Sequence, residues 1–336
     1  MTTVIARDAR ATLRRAAARA GLAPSIHNTQ PWRLDLHNNA LELRLDPERR
    51  LAHVDPDGRQ AVISCGCALF NARVSLSADD LGDARITRFP DGVDSPLLAR
   101  VELVPRTGDD SFSRAARRAI AELDFAIAVR RTNRSRFEEL IVPERFVDRL
   151  AAGAAAEGTI LFSVRRHHHR ETVARLTRNA DAEQYSNPAY RAELRAWITD
   201  DPTRADGVHT RSVTRVDADT HDDLPLRDFD MHGNAGLPAQ TDSAQQQTML
   251  LLGTDTDTPR DWLRAGEALE RVLLTATLAG YESSPVMQAL EVPATRSALR
   301  SELGVSFHPQ FLVRVGRADP VPPTIRRALH DILDES

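Results

Sequence analysis

Apolar and polar residues follow helical spacing in some parts of the chain and strand-like alternation in others. Apolar residues recur with the period of a helix across residues 8–20, 59–81 and 259–280, which predicts three long helices. Two short apolar runs, residues 32–36 and 41–45, flank a polar segment and predict a hairpin of two strands. The chain therefore combines both kinds of secondary structure.

Other segments extend this pattern, and one long region lacks it. Further helices are predicted at residues 111–123, 143–155 and 324–333, with a helical stretch that runs through residue 197. Further strands are predicted at residues 85–89, 97–103, 159–164, 248–252 and 310–315. Residues 200–240 are rich in Asp, Thr, Gly, Pro and His with little apolar periodicity, so we predict a long loop or lid there.

The two ends of the chain repeat one arrangement of elements. A long apolar helix ends in glycine at residues 65–82 and again at residues 262–280. Each helix leads through a variable loop into a strand, ARVELVP in one case and QFLVRVG in the other. This repeat predicts a duplicated α+β unit: two tandem halves, each with a mixed or antiparallel sheet flanked by helices, packed as an intramolecular pseudo-dimer. We place the halves at residues 1–124 and 125–336, with the lid inserted in the second.

Composition excludes several kinds of chemistry and of partner. The net charge of −4 argues against a nucleic-acid binder, and the longest apolar run, residues 272–281, is too short to cross a membrane. With a charged N-terminal segment and only Cys65 and Cys67, these features favour a cytoplasmic protein. All 44 basic residues are arginine, which rules out lysine Schiff bases and leaves phosphate to arginine, backbone amides or hydroxyls.

The segment APSIHNTQPWRL, residues 23–34, is the first candidate for binding chemistry. Its Ser25 hydroxyl and the amides of Asn28 and Gln30 could meet a flat polar ligand, with Trp32 fixing the entry to the next strand. The plainer alternative, a capped turn followed by a core tryptophan, explains the same residues equally well.

Arginine-rich segments are the second candidate. Residues 130–134, RRTNR, place several guanidinium groups beside a hydroxyl, which suits a phosphate dianion, although a solvated basic helix start would look the same. Residues 322–329, PPTIRRAL, are typical of a helix start with surface arginines. By contrast, three consecutive histidines at residues 167–169 would point in three directions from a helix, so we expect no metal site.

The order A-P-S-x-x-N-x-Q-P-W at residues 23–32 resembles the signature of the nitroreductase family, and its form most resembles the Acg-like branch of single-chain pseudo-dimers. Residues 130–134 resemble the family's R-R-S-x-R phosphate motif, with Thr132 in the serine position. Residues 280–285 resemble the segment that passes beside the flavin ring, and Arg326 and Thr324 fall at the arginine and lysine of the family's ending. The resemblance implies a nitroreductase-like fold, an FMN cofactor and the following flavin-binding residues: Pro24, Ser25, Ile26, Asn28, Gln30, Trp32, Arg33, Arg130, Arg131, Thr132, Arg134, Ser283, Ser284, Pro285, Arg326 and Arg327.

The order of these motifs departs from that of ordinary family members, in which the arginine motif precedes A-P-S. Here one motif lies in each half, which implies one composite site, one FMN per chain and a protein that works as a monomer, with a weak homodimer as the alternative. The resemblance further implies hydride transfer from NAD(P)H to the flavin and on to a nitroaromatic or quinone acceptor, with no side chain as obligatory catalyst. The alternative is a flavin-sequestering protein whose lid closes over the ring.

Overall fold

The computed structural model describes residues 2–37, 39–79, 82–105, 111–138, 140–213, 227, 229 and 247–335. Its helices are α1 (Thr2–Ala20), α2 (Arg59–Ser77), α3 (Ser111–Ala121), α4 (Asp124–Val129), α5 (Glu144–Ala156), α6 (His167–Ser186), α7 (Pro188–Ala196), α8 (Pro259–Leu278), α9 (Gln288–Glu291), α10 (Pro293–Glu302) and α11 (Leu329–Ile332). Its strands are β1 (Trp32–Leu36), β2 (Ala40–Leu45), β3 (Asp83–Arg88), β4 (Leu97–Val104), β5 (Ile160–Ser163), β6 (Ile198–Thr199), β7 (Val208–His209), β8 (Thr248–Thr254), β9 (Glu282–Pro285), β10 (His308–Gly316) and β11 (Leu333–Glu335).

Two separate sheets organise the α+β fold. The first has the order β11-β1-β2-β4-β3 and the second the order β5-β8-β10-β9. Neighbouring strands are antiparallel in both sheets, except that β11 runs parallel to β1. Each sheet draws most of its strands from one predicted half of the chain, which agrees with two tandem α+β units.

Helices α2 and α8 cross at a pair of glycines, and this crossing lies at the centre of the molecule. A Cβ atom on Gly66 would lie 2.2 Å from the carbonyl oxygen of Leu263, and one on Gly266 would lie 2.0 Å from that of Ile63. The two contacts are reciprocal, as across the two-fold axis of a symmetric dimer. Since each glycine pairs with the residue 200 positions away, the crossing marks the pseudo-symmetry that the sequence repeat predicts.

Most of the main core surrounds these two helices. Almost every residue of α2 is buried, because α1 and α8 both pack against it. Its sequence accordingly lacks a polar face and mixes small residues with large apolar ones. Most buried leucines and alanines of α8 join the same core, which includes residues of both sheets. Among the described residues, no helix is both long enough and apolar enough to cross a bilayer.

The C-terminal segment differs from the helix predicted at residues 324–333. A helix forms only over Leu329–Ile332, and the next three residues form β11, which pairs Leu333 with Leu34 of β1. Long-range contacts override the local pattern, because the backbone N–H of Arg327 donates to the Gln30 side chain at 2.8 Å instead of to a helical carbonyl. The last strand of the second predicted half therefore belongs to the first sheet.

Two further differences concern the middle of the chain. The helical stretch predicted to run through residue 197 is two helices, divided where Asn187 caps the N-terminus of α7 and Pro188 occupies its first turn. Helix α4 was not predicted. Of the predicted lid, residues 200–213, 227 and 229 are described and include β7, which pairs with β6, while residues 214–226, 228 and 230–240 lie outside the described residues.

Candidate functional site

A cavity lies beside the crossing of α2 and α8, and we call it the main cavity. Its walls contain residues from three of the sequence motifs, which the fold brings together although they are far apart in the chain. The motif residues that line it are Pro24, Ser25, Ile26, Thr132, Arg134, Ser283, Ser284 and Pro285. Apolar side chains of both central helices, among them Ile63, Leu269 and Leu273, complete the walls.

The loop that follows Pro24 takes an unusual backbone conformation. His27, Asn28 and Gln30 have positive φ angles of 43°, 57° and 49°, which cost free energy for residues other than glycine. Hydrogen bonds hold the loop in this shape, since the Ser25 hydroxyl accepts the Gln30 N–H at 2.9 Å and the Ile26 N–H donates to Ser64 of α2 at 3.1 Å. The loop thereby presents Ser25 and Ile26 to the main cavity.

Asn28 and Gln30 are buried and support the site from outside the main cavity. The Asn28 amide donates to the carbonyl oxygens of Gly207 and Ile325, at 3.1 and 3.2 Å. The Gln30 amide donates to the carbonyl oxygen of Ala205 at 2.8 Å and accepts from Arg327. These two side chains therefore fasten the motif loop to the start of the predicted lid and to the C-terminal segment.

Three other predicted binding residues also lie away from the main cavity. Trp32 is fully buried in the core, which agrees with the alternative interpretation of the motif as a capped turn followed by a core tryptophan. Arg33 is exposed and pairs with Asp46 at 3.0 Å. The Arg327 side chain donates to the carbonyl oxygen of Asp331.

A second pocket adjoins the main cavity, since Thr132 lines both, and we call it the arginine pocket. Arg130, Arg131 and Arg326 line it, together with Thr324. Burial and the neighbouring Arg130 lower the pKa of Arg326 to about 9, so it stays charged at neutral pH. Three guanidinium groups in one pocket repel each other, and an anion that binds between them removes this repulsion.

Arg130 shows most directly that the arginine pocket suits an anion. It is 3% exposed, and its Nε and Nη1 atoms donate to no described residue. Arg130 forms an ion pair with the carboxylate of Glu270. Oε1 of Glu270 lies 3.7 Å from Nε of Arg130, which is too far for a hydrogen bond. Buried donors without partners are costly, and a bound phosphate would satisfy them.

Arg134 lies apart from the other arginines of its motif, since it lines the main cavity and is absent from the arginine pocket. Its guanidinium lies over the Phe229 ring, 5.2 Å from the centroid. Burial and the nearby Arg227 lower the pKa of Arg134 to about 10, which leaves it protonated at neutral pH. The sequence motif thus contributes to both ends of the joined site.

Several residues that the sequence did not indicate line the main cavity, and His27 is one of them. Burial and the charge of Arg227 lower the pKa of His27 to about 3, so its imidazole is neutral. Its Nδ1 atom is buried without a hydrogen bond to the described residues, as is the Ser284 hydroxyl on the cavity wall. These unpaired polar atoms among apolar side chains suit a flat ligand with polar edges.

Two residues from the predicted lid, Arg227 and Phe229, also line the main cavity. Arg227 forms an ion pair with Glu291 and donates to the Tyr190 hydroxyl, and Phe229 packs edge-on against His27 with the ring centroids 5.9 Å apart. Although burial alone would raise the pKa of Glu291, the pair with Arg227 lowers it overall. No periodicity in residues 200–240 could have predicted these contacts.

The sequence of the chain is similar to those of two Mycobacterium tuberculosis proteins. No family model matches the chain. A Mycobacterium tuberculosis protein provisionally named NAD(P)H nitroreductase is 37% identical over 322 residues, which cover 93% of this chain and 88% of the relative. A second protein of that organism, provisionally named NAD(P)H nitroreductase acg, is 30% identical over 314 residues, which cover 92% of this chain and 91% of the relative.

Solved structures resemble the fold more distantly. An iodotyrosine deiodinase bound to FMN and 3-iodo-L-tyrosine gives a TM-score of 0.41 at 16% identity and covers 61% of this chain and 95% of its own. A nitroreductase with bound FMN from Desulfitobacterium hafniense gives a TM-score of 0.40 at 12% identity, with coverages of 63% and 96%.

Proposed function

The chain belongs to the nitroreductase family, in its Acg-like branch, and we propose that it is an FMN-dependent oxidoreductase that takes electrons from NAD(P)H. One observation carries the proposal. Motif residues from both predicted halves line the main cavity, and one of them, Thr132, also lines the arginine pocket. A mainly apolar cavity next to a cationic pocket matches a flat ring system that carries a phosphate tail.

The phosphate of FMN fits the arginine pocket. Arg130 offers two buried N–H groups without partners, Arg131 and Arg326 add positive charge, and Thr132 offers a hydroxyl at the junction. Thr324 stands where the family has a lysine. Burial and the charge of Arg130 lower the pKa of Arg326 to about 9, so Arg326 stays charged at neutral pH and the pocket keeps positive charge without that lysine.

The isoalloxazine ring fits the main cavity. When bound, the flavin supplies the chemistry, because it accepts a hydride and passes electrons to an acceptor such as a nitroaromatic or a quinone. The positive charge of Arg134 would stabilise negative charge that develops on the flavin ring. The Ser284 hydroxyl has no hydrogen-bond partner among the described residues and could bond to a polar edge of the ring. Leu269, Leu273 and Ile63 supply apolar wall surface for the ring.

Pseudo-symmetry explains why one chain would bind one flavin. The crossing of α2 and α8 relates positions 200 apart, so Cys67 and Leu273 of the main cavity correspond to Glu267 and Arg73. Those two side chains form an ion pair at 2.8 Å, and Arg88 binds the same carboxylate through two hydrogen bonds. A buried ion-pair network therefore occupies the symmetry-related position, and a single composite site is consistent with a functional monomer.

An anaerobic titration tests the proposal. The protein is reconstituted with FMN and then given NADPH or NADH while the visible absorbance of the flavin is followed. Bleaching that a nitroaromatic or quinone reverses supports the oxidoreductase. A protein that remains colourless after reconstitution with FMN overturns the proposal.

The contacts of Arg227 and Phe229 favour a second candidate, a flavin-sequestering protein whose lid covers the ring. Such a protein would be bleached by dithionite and by neither nicotinamide. Phe229→Ala tests this candidate, because loss of the ring would open the main cavity and let NAD(P)H reduce the flavin faster. Arg211→Ala is the matched control, since Arg211 is exposed in the same predicted lid and does not line the main cavity.

A further inference from the structure

A buried carboxylate lies directly behind the arginine pocket. Glu270 is 0% exposed on α8, and its Oε1 lies 3.7 Å from Nε of Arg130. It does not line the arginine pocket itself. An acid fully removed from solvent is unusual, and its position next to the most deeply buried arginine of the pocket calls for an explanation.

Resting on the proposed function, we propose that Glu270 is a positioning residue that holds Arg130 in the arginine pocket and takes up a proton when the phosphate dianion binds. Without phosphate, the Glu270 carboxylate balances the charge of Arg130 at short range. A bound phosphate takes over that role and places a second negative charge near Glu270. Like charges in a buried site disfavour double ionisation, so the carboxyl becomes protonated.

The surroundings of Glu270 place its titration near neutral pH. Burial raises the pKa of Glu270 to about 7, and the charges of Arg130 and Arg326 limit this rise. From α2, the amide of Asn71 and the thiol of Cys67 also face it, and burial keeps the pKa of that thiol well above its ordinary value. Only a modest further shift is therefore needed to protonate Glu270 at pH 7.5.

One other acid near the pocket could titrate. Glu282 of β9 is half-buried, and burial raises its pKa, while Asn133, Arg130 and Arg131 oppose the rise. Phosphate titration itself has the opposite sign, because arginines favour the dianion and binding would then release a proton. At pH 7.5 Arg326, whose pKa is about 9, is already protonated, so net proton uptake at that pH identifies a carboxyl group, and variants decide which one.

The test measures the heat of FMN binding at pH 7.5 in two buffers that differ in ionisation enthalpy. We expect wild-type protein to take up a substantial fraction of a proton and its affinity for FMN to fall as pH rises from 6.5 to 8.5, by at most tenfold per pH unit. Glu270→Gln, which resembles the protonated side chain, should abolish both effects and retain tight binding at pH 8.5. Glu282→Gln should keep both effects.

Three results would overturn the inference while leaving FMN binding intact: no proton uptake by the wild type, uptake that persists in Glu270→Gln, or uptake that disappears in Glu282→Gln. Failure to bind FMN at all would instead contradict the proposed function. Because the first measurement needs only the wild-type protein, the inference can be rejected even if a variant does not fold.

Discussion

The division of the site into a phosphate end and a ring end makes a quantitative prediction about Arg326. Replacing Arg326 by methionine removes a charged partner of the phosphate while keeping most of the side-chain volume. A hydrogen bond to a charged group contributes about 1.5–3 kcal/mol, which corresponds to a loss of FMN affinity of about 10-fold to 150-fold. Riboflavin lacks the phosphate, so its affinity should stay within about twofold of wild type.

The same structure predicts that Arg326→Met does not destabilise the flavin-free protein. The substitution loses three hydrogen bonds, to the carbonyl oxygens of Ala23, Thr324 and Ile325 at 3.2, 3.4 and 3.5 Å. It also relieves the burial of a charged group and the repulsion from Arg130, which together lower the pKa of Arg326. Opposing changes of about 1–3 kcal/mol should nearly cancel in the free energy of unfolding. Loss of flavin affinity would then report the site and not the fold.

Arg134→Met is the matched comparison, because Arg134 lines the main cavity and not the arginine pocket. It should weaken FMN and riboflavin by similar factors, so the ratio of the two dissociation constants stays at the wild-type value. Both flavins can be titrated by the quenching of their fluorescence. If Arg326→Met weakens riboflavin as much as FMN, or if Arg134→Met weakens FMN alone, the assignment of the two ends is wrong.

Three other predictions concern the frame of the site. Gly66→Ala should lower the free energy of unfolding by about 1–3 kcal/mol in chemical denaturation, because its Cβ would lie 2.2 Å from a backbone oxygen. Gly153→Ala should not destabilise the protein, since the nearest atom to its Cβ would be 3.6 Å away. His27 has a depressed pKa in the folded protein, so its contribution to stability is complete above pH 6.5 and is lost as pH falls towards 3, by up to about 1.4 kcal/mol per pH unit. His27→Gln should flatten that part of the acid-unfolding profile, and an unchanged slope would refute the assignment. Gln30→Ala should speed amide hydrogen exchange at Arg327 and along β11, since the C-terminal segment loses its bond to the motif loop, and unaltered exchange there would contradict that role.

The sequence predicts the elements whose pattern is local. Residues 32–36 and 41–45 alternate with the period of a strand, and they form β1 and β2 in antiparallel register. The long helices α2 and α8 were likewise visible as apolar stretches that end near a glycine. Strand β11 could not be predicted in this way, because it is three residues long and its partner β1 lies about 300 positions away in the chain. Only the folded chain brings the two together.

In the candidate site, too, the sequence predicts some residues and misses those whose role depends on long-range contacts. Ser25 and Thr132 were recognisable because ordered motifs contain them, and both line the joined site. The motif alone could not predict that Arg130 and Arg134 line different pockets. They are four positions apart in an irregular segment, whose backbone path cannot be predicted from the sequence. Phe229 gave no signal, because its role depends on a contact with His27, which is 202 residues away.

The reciprocal contact of Gly66 and Gly266 has a consequence for how such a protein can change over generations. In a homodimer every codon change appears twice, so a substitution that closes one cofactor site closes both. In this chain the two sides of the crossing are encoded separately, and Glu267 and Arg73 can join an ion pair while Cys67 and Leu273 keep the opposite cavity open. A single chain with this symmetry therefore allows one side to hold a buried ion pair without closing the cavity on the other side.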